Sequence, residues 1–402
     1  MIKKINKLIP EIRFTEFQKD GNWQLTTIGE IGKFYYGKSA PKWSLSNDAP
    51  TLCVRYGELY TKFDTIISEI ISRTNIDPSN LKFSKGGEIL VPRVGEVPQD
   101  FAKNCCYLPF ENIAIGEMIS VYETKEYPIF YAYYFRTLIK QFAEVVEGQN
   151  VKNLYYVNLE PIAIGKPSYF EQKKIAVCLS SIDEVIKADS KKLESLNEHK
   201  KGLLQNLFPQ KGEREPKYRF PEFANDGEWR EKTIEQVAQV TTGKKDTQNK
   251  VNNGLYPFFV RSQTVERINS YSYDGEAILT SGDGVGVGKN FHYVVDKFDF
   301  HQRVYCIYNF SKEVCGKFVY MFFSQHFDER VMRMSAKNSV DSVRMAMITE
   351  MPIRLPSKKE QQKVADCLSS LDALITGQTE KIEQLKLHKK GLMQGLFPKI
   401  ID

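Results

Sequence analysis

The chain has 402 residues, 42% of them hydrophobic, and a formal net charge of +6. That length points to two or three domains rather than one core, and no apolar run reaches the length of a membrane span. The mild basic excess permits a polyanionic partner without requiring one, and seven cysteines with no CxxC pair argue for reduced thiols rather than a zinc site or a disulfide framework.

In chain order, the N-terminal stretch "MIKKINKLIPEIRF" has neither an apolar core of signal-peptide length nor a cleavage site, so the expected location is the cytoplasm. "RFTEFQKDGNW" (Arg13 to Trp23) follows, and recurs 206 residues later as "RFPEFANDGEW" (Arg219 to Trp229). The same shift pairs Gly37-Lys38 with Gly243-Lys244 and Val54-Arg55 with Val260-Arg261. Between the heads and the tails lie two divergent middles. "TLCVRY" and "PFFVRS" read as strands that end on polar side chains. "GGEILVPRVGE" and "DGEAILTSGDGVGVGK" read as strand, turn and strand. "FYAYYFRTLIKQFAEVV" and "KFVYMFFSQHFDERVMRM" read as amphipathic helices, which makes each middle an α+β unit.

Each middle is followed by a matched tail. "EQKKIAVCLSSIDEVI" (Glu171 to Ile186) reappears 189 residues on as "EQQKVADCLSSLDALI" (Glu360 to Ile375), and the match runs without a gap to "HKKGLLQNLFP" and "HKKGLMQGLFP". Ser168-x-x-Glu171 and Ser357-x-x-Glu360 read as capping boxes, and Pro209 and Pro398 mark the ends. The apolar spacing between them is heptad-like: Ile175, Leu179, Ile182, Ile186, Leu193, Leu196, Leu203, Leu207 in the first copy and Val364, Leu368, Leu371, Ile375, Ile382, Leu385, Leu392, Leu396 in the second. Polar residues interrupt both series at the same places, Asp189 and Lys200 in one, Gln378 and Lys389 in the other, which fixes register at some cost in stability. Two such helices related by a pseudo-twofold internal repeat pair antiparallel. At about 1.5 Å per residue each makes a rod on the order of 55 Å.

No catalytic set stands out. "SGDGVGVGKN" fails as a phosphate loop, because Asp283 stands where the first glycine is needed and Asn290 where a Ser or Thr is needed. His292 and His301 are too far apart for a pair of metal ligands on one helix face, and GxSxG, HExxH and the NPPY methyltransferase signature are all missing. The sequence reads as that of a binder.

The "P-x-x-x-EQ-x-K-(I/V)-A-x-CLSS-(I/L)-D" start of each tail, its "HKKGL(L/M)Q-x-LFP" end and the "RF-x-EF…W" heads resemble the specificity subunit of type I restriction-modification systems over essentially the whole chain. The resemblance implies target-recognition domains at 1–167 and 213–356, and conserved spacer helices at 168–212 and 357–402. It implies a bipartite, asymmetric site on double-stranded DNA, each domain reading one half. It also implies a subunit without catalytic activity of its own. Methyltransferase (M) subunits would modify adenine, and motor-nuclease (R) subunits would translocate and cut. S-adenosylmethionine, ATP and Mg would then be cofactors of the partners and not of this chain. The alternative is a stand-alone DNA-binding or scaffold protein, which co-purification separates from the first reading.

Phosphate contacts position such a domain and base-edge contacts specify the sequence. The candidate DNA-binding residues are Lys38, Arg55, Tyr56, Arg93, Lys103, Lys152 and Asn153 in the first domain. In the second they are Lys244, Lys245, Arg261, Ser262, Gln263, Lys289, Gln302, Arg303, Lys337 and Asn338. Arg55 and Arg261 lead, because the repeat sets them at equivalent strand ends.

Overall fold

Both tails fold as single helices, Tyr169–Leu207 and Lys358–Gly395, in a computed structural model that describes residues 8–210, 212–334 and 342–399. The serine half of each expected capping box forms: Ser168 Oγ accepts from the Glu171 amide at 3.3 Å and Ser357 Oγ from the Glu360 amide at 3.4 Å. The glutamates do something else. Glu171 takes both arms of Arg13, at 2.8 and 2.7 Å, and the Trp23 indole N–H at 3.2 Å. Glu360 takes both arms of Arg219, each at 2.8 Å. A guanidinium fork matches a carboxylate better than a single backbone amide does. The next residue completes the attachment. Gln172 donates to the Pro167 carbonyl and accepts from the Tyr127 amide, and Gln361 does the same with Pro356 and Cys315. The repeated head and the repeated "EQ" are therefore two halves of one clasp.

The chain divides into two units, Met1–Ser190 with Glu380–Asp402 and Lys191–Thr379. In the first, β1 (Gln24–Thr27) pairs with β12 (Ala163–Lys166), the two ends of the unit closing on each other. A four-stranded sheet has β2 (Gly32–Tyr36), β10 (Ile119–Thr124), β6 (Glu88–Pro92) and β8 (Cys106–Leu108) in that order. A second has β4 (Ser72–Thr74), β3 (Thr51–Val54), β9 (Glu111–Ile115) and β5 (Phe83–Lys85), with β3 and β9 parallel. A short ribbon joins β7 (Val94–Gly95) to β11 (Lys152–Asn153).

The second unit follows the same plan. Its β13 (Arg230–Thr233) pairs with β20 (Pro352–Leu355). One sheet runs β14 (Gln239–Thr242), β19 (Val304–Tyr308), β17 (Tyr273–Ser281), β18 (Phe291–Phe300), β15 (Tyr256–Phe259), β16 (Val265–Ile268). Here β15 and β18 are the parallel pair.

The stretch read as one amphipathic helix from Phe130 onward is instead α1 (Pro128–Phe135) and α2 (Ile139–Glu144), and Phe130 to Phe135 are buried on every side. A helix buried all round has no polar face to give it a period. The corresponding stretch in the second unit is one helix, α3 (Gly316–Met334).

The "LFP" ends fill cores. In the first unit Phe397 stacks on Tyr134 at 4.9 Å, with Trp23 and Phe130 beside it. In the second Phe208 packs on Phe318 at 5.1 Å, and Trp229 meets the same ring. None of the sixteen apolar seam residues is exposed. Ile175, Leu179, Leu207, Val364, Leu368, Leu371, Ile382 and Leu396 are buried and the other eight half-buried. Within the first unit Lys389 bonds Asp183 and Lys381 lies 2.9 Å from Asp189, so the two helix segments there run antiparallel. Within the second Lys200 lies 2.5 Å from Asp372. Among the described residues no helix is long and apolar enough to cross a membrane.

Candidate nucleic-acid interface

Strand ends and short turns position the candidate side chains. In the first unit β2 ends at Tyr36, β6 ends at Pro92 and β10 begins at Ile119, all on one edge of the sheet. Gly37 turns off that edge because a Cβ there would collide with the Gly116 carbonyl. The next residues hold the turn: the Lys38 amide donates to Ile115, and Ser39 and Ala40 adopt left-handed φ of 66° and 62°. Such φ values cost non-glycine residues energy and cluster at functional sites. Lys38 itself is exposed. Arg55 is half-buried with its Nε on the Ala40 carbonyl at 3.2 Å, and Tyr56, exposed, opens the next helical turn.

Arg93 leaves the end of β6 with its guanidinium carbon 4.4 Å from the centre of the Tyr36 ring and 5.4 Å from that of Tyr155. Burial raises the pKa of the Tyr36 hydroxyl, and the Arg93 charge beside it pulls the other way. Asn153 pairs with Val94 and Lys152 with Gly95, so both stand beside Arg93. Lys103 does not join this group by any bond. It sits on the short helix Asp100–Lys103, where its ammonium pairs with Asp100 at 2.8 Å.

In the second unit the candidates gather at the matching edge. A Cβ at Gly243 would strike the Phe300 carbonyl, the same close approach as at Gly37. Lys244 beside it is exposed and Lys245 bridges to His301. Asp283 holds Arg261 at 3.0 Å and faces Arg303 at 3.8 Å. Asp246 accepts from Gln302 at 2.9 Å. Gln263 donates to the Lys289 carbonyl, and the Ser262 carbonyl meets His292. Burial lowers the pKa of His301, with Asp246 opposing it. Lys337 and Asn338 lie outside the described residues.

Strand registers correct one expected equivalence. Gly116 donates its amide to Val54 in the first unit, and His301 to Phe259 in the second. Arg55 therefore corresponds to Val260, and Arg261 to Tyr56, one residue off the sequence match. Successive strand residues point to opposite faces, so the two arginines leave their strands differently. A correspondence hidden in the sequence replaces it. Arg93 donates its amide to Met118 and accepts from Leu154; Gly282 donates to Arg303 and accepts from Val343. Arg93 thus matches Gly282, and Met118 matches Arg303. Unequal loops between the strands had concealed this. Among the described residues no cluster of His, Cys, Asp and Glu could hold a metal ion.

A family model described as the type I restriction modification DNA specificity domain matches residues 226–387. The chain is 27% identical over 170 residues to the type I restriction enzyme EcoDI specificity subunit of Escherichia coli, spanning 42% of this chain and 37% of that protein. It is 24% identical over 407 residues to the type I restriction enzyme MjaVIII specificity subunit of Methanocaldococcus jannaschii, spanning 94% and 92% of the two. The crystal structure of the type I restriction-modification S subunit from M. genitalium superposes with a TM-score of 0.67 at 14% identity, covering 98% of this chain and all of that one. A chain solved to explain complex assembly and conformational transition of the type I R-M system superposes with a TM-score of 0.55 at 15% identity, covering 94% and 98%. Residues 226–387 thus match a type I restriction-modification DNA specificity domain, and the fold of the chain resembles that of the solved S subunits of those systems.

Proposed function

We propose that this chain is the DNA-reading subunit of a type I restriction-modification complex. Its target-recognition domains, at 1–167 and 213–356, each read one half of a bipartite asymmetric site. The spacer helices, at 168–212 and 357–402, fix the separation of the halves. Methyltransferase and motor-nuclease partners, supplied with S-adenosylmethionine, ATP and Mg, perform adenine methylation and cleavage in the cytoplasm, and the chain itself performs no chemistry. One observation carries the reading. The two units share the order of three sheet strands, β2-β10-β6 and β14-β19-β17, and one parallel pair each, and gather basic and amide side chains at the same edge, yet differ at matched positions there, Arg93 against Gly282 and Met118 against Arg303. Two readers with one scaffold and different side chains suit a split site with unlike halves.

Methylated adenines mapped across the DNA of cells with and without this chain test the proposal. The expected result is a split, asymmetric motif that loses its methylation when the chain is deleted. Identical maps would overturn it. Purification of the tagged chain should bring a methyltransferase subunit with it.

A further inference from the structure

Four arginines of the candidate edges differ in how their side chains are occupied. Arg55 spends its Nε on the Ala40 carbonyl, while Arg261 and Arg303 face Asp283. Arg93 makes no side-chain hydrogen bond or ion pair among the described residues. Its Nε is buried without a partner. It is nonetheless held in place, because Tyr36 and Tyr155 flank its guanidinium and Tyr156 packs on Tyr36 at 4.6 Å. An arginine stacked on aromatic rings loses little further freedom on binding, and its fork keeps the geometry that pairs with the O6 and N7 acceptors of guanine. The backbone on either side is fixed as well, by the Met118 and Leu154 bonds. The second unit cannot copy this arrangement. A side chain at Gly282 would press on the Arg303 carbonyl and the Tyr305 ring.

We infer that Arg93 is a specificity-determining residue that reads one guanine in the half-site of the first unit, with Tyr36 and Tyr155 as positioning residues. This rests on the DNA-reading function proposed above and assigns one of its base contacts. A phosphate contact would use the same charge but would leave no preference for a base. Lysine keeps the charge and loses the fork, so Arg93→Lys separates the two roles.

The test is selection from a library of randomised duplexes by the full chain together with the partners that co-purify with it. The wild type should enrich a split motif, and Arg93→Lys should flatten a single guanine column in one half while leaving the other half intact. Affinity for the wild-type site should fall roughly 5- to 100-fold, with little change in salt dependence. Tyr155→Leu should weaken the same column less, because the arginine remains but is no longer held. An unchanged motif from Arg93→Lys overturns the inference. So does uniform weakening from Arg93→Ala with the motif intact and a shallower salt slope, the mark of a phosphate contact. A wild-type complex that enriches no motif removes the DNA-reading function itself, and this inference with it. A thermal midpoint for each variant shows that it is folded.

Discussion

Arg13 and Glu171 are 7% and 1% exposed, so their pairing is decided in a poorly solvated place. Removing one partner of such a pair strands the other charge, whereas removing both strands neither. Arg13→Met should therefore destabilise the chain by about 3–5 kcal/mol in chemical denaturation, and Arg13→Met with Glu171→Met should recover much of that loss. The equivalent clasp is less complete: Trp23 bonds its glutamate, but the buried indole N–H of Trp229 has no hydrogen-bond partner among the described residues. Histidines add a pH dependence to the second unit. Burial lowers the pKa of His292, His301 and His326. Their unfolded forms take up protons near pH ~6.5, before the folded forms do. The unfolded state therefore binds more protons below that pH, and stability present above it is lost as the pH falls through the lowered values. The thermal midpoint should drop between pH 7.5 and 5.5, and His326→Gln should shrink the drop.

The long helices owe their legibility to period. Heptad spacing survives in the sequence because each apolar position has a facing surface to fill. The buried α1 departs from the amphipathic expectation for the converse reason, since a helix apolar on every face has no stripe to find. The seam charges are repeat-related: Asp183 with Lys389 in one unit and Asp372 with Lys200 in the other. These pairs are partly solvated, so Lys389→Glu should cost about 1–2 kcal/mol, less than a fully buried break. Adding Asp183→Lys should restore part of the loss, read as a double-mutant cycle. Gly202 and Gly391 sit inside the helices with nothing of the described chain within 4 Å of where a Cβ would stand. Gly202→Ala and Gly391→Ala should each stabilise by ~0.5–1 kcal/mol in denaturant titrations. If they also impair co-purification of the methyltransferase subunit proposed above, the glycines leave room for that partner.

Across the whole molecule, the heads and tails were readable because both copies perform the same mechanical task with the same residues: arginine, tryptophan, glutamate, glutamine. The middles were not. Strand order is conserved there by backbone pairing, which tolerates almost any side chain and any loop length, so matched letters such as "VR" misled by one residue while Arg93 and Gly282 matched with no shared letter. The makeup of the first unit carries one more consequence, a matter of time rather than space. Its Trp23, Phe130 and Tyr134 wait for Phe397, and the Ile12 amide waits for the Gly395 carbonyl. The second unit ends at Thr379. At ~5–20 residues per second, the ribosome takes about 10–40 s to make the residues in between. A nascent chain therefore holds an aromatic core with an open side for that long, and the unit made first is the one finished last.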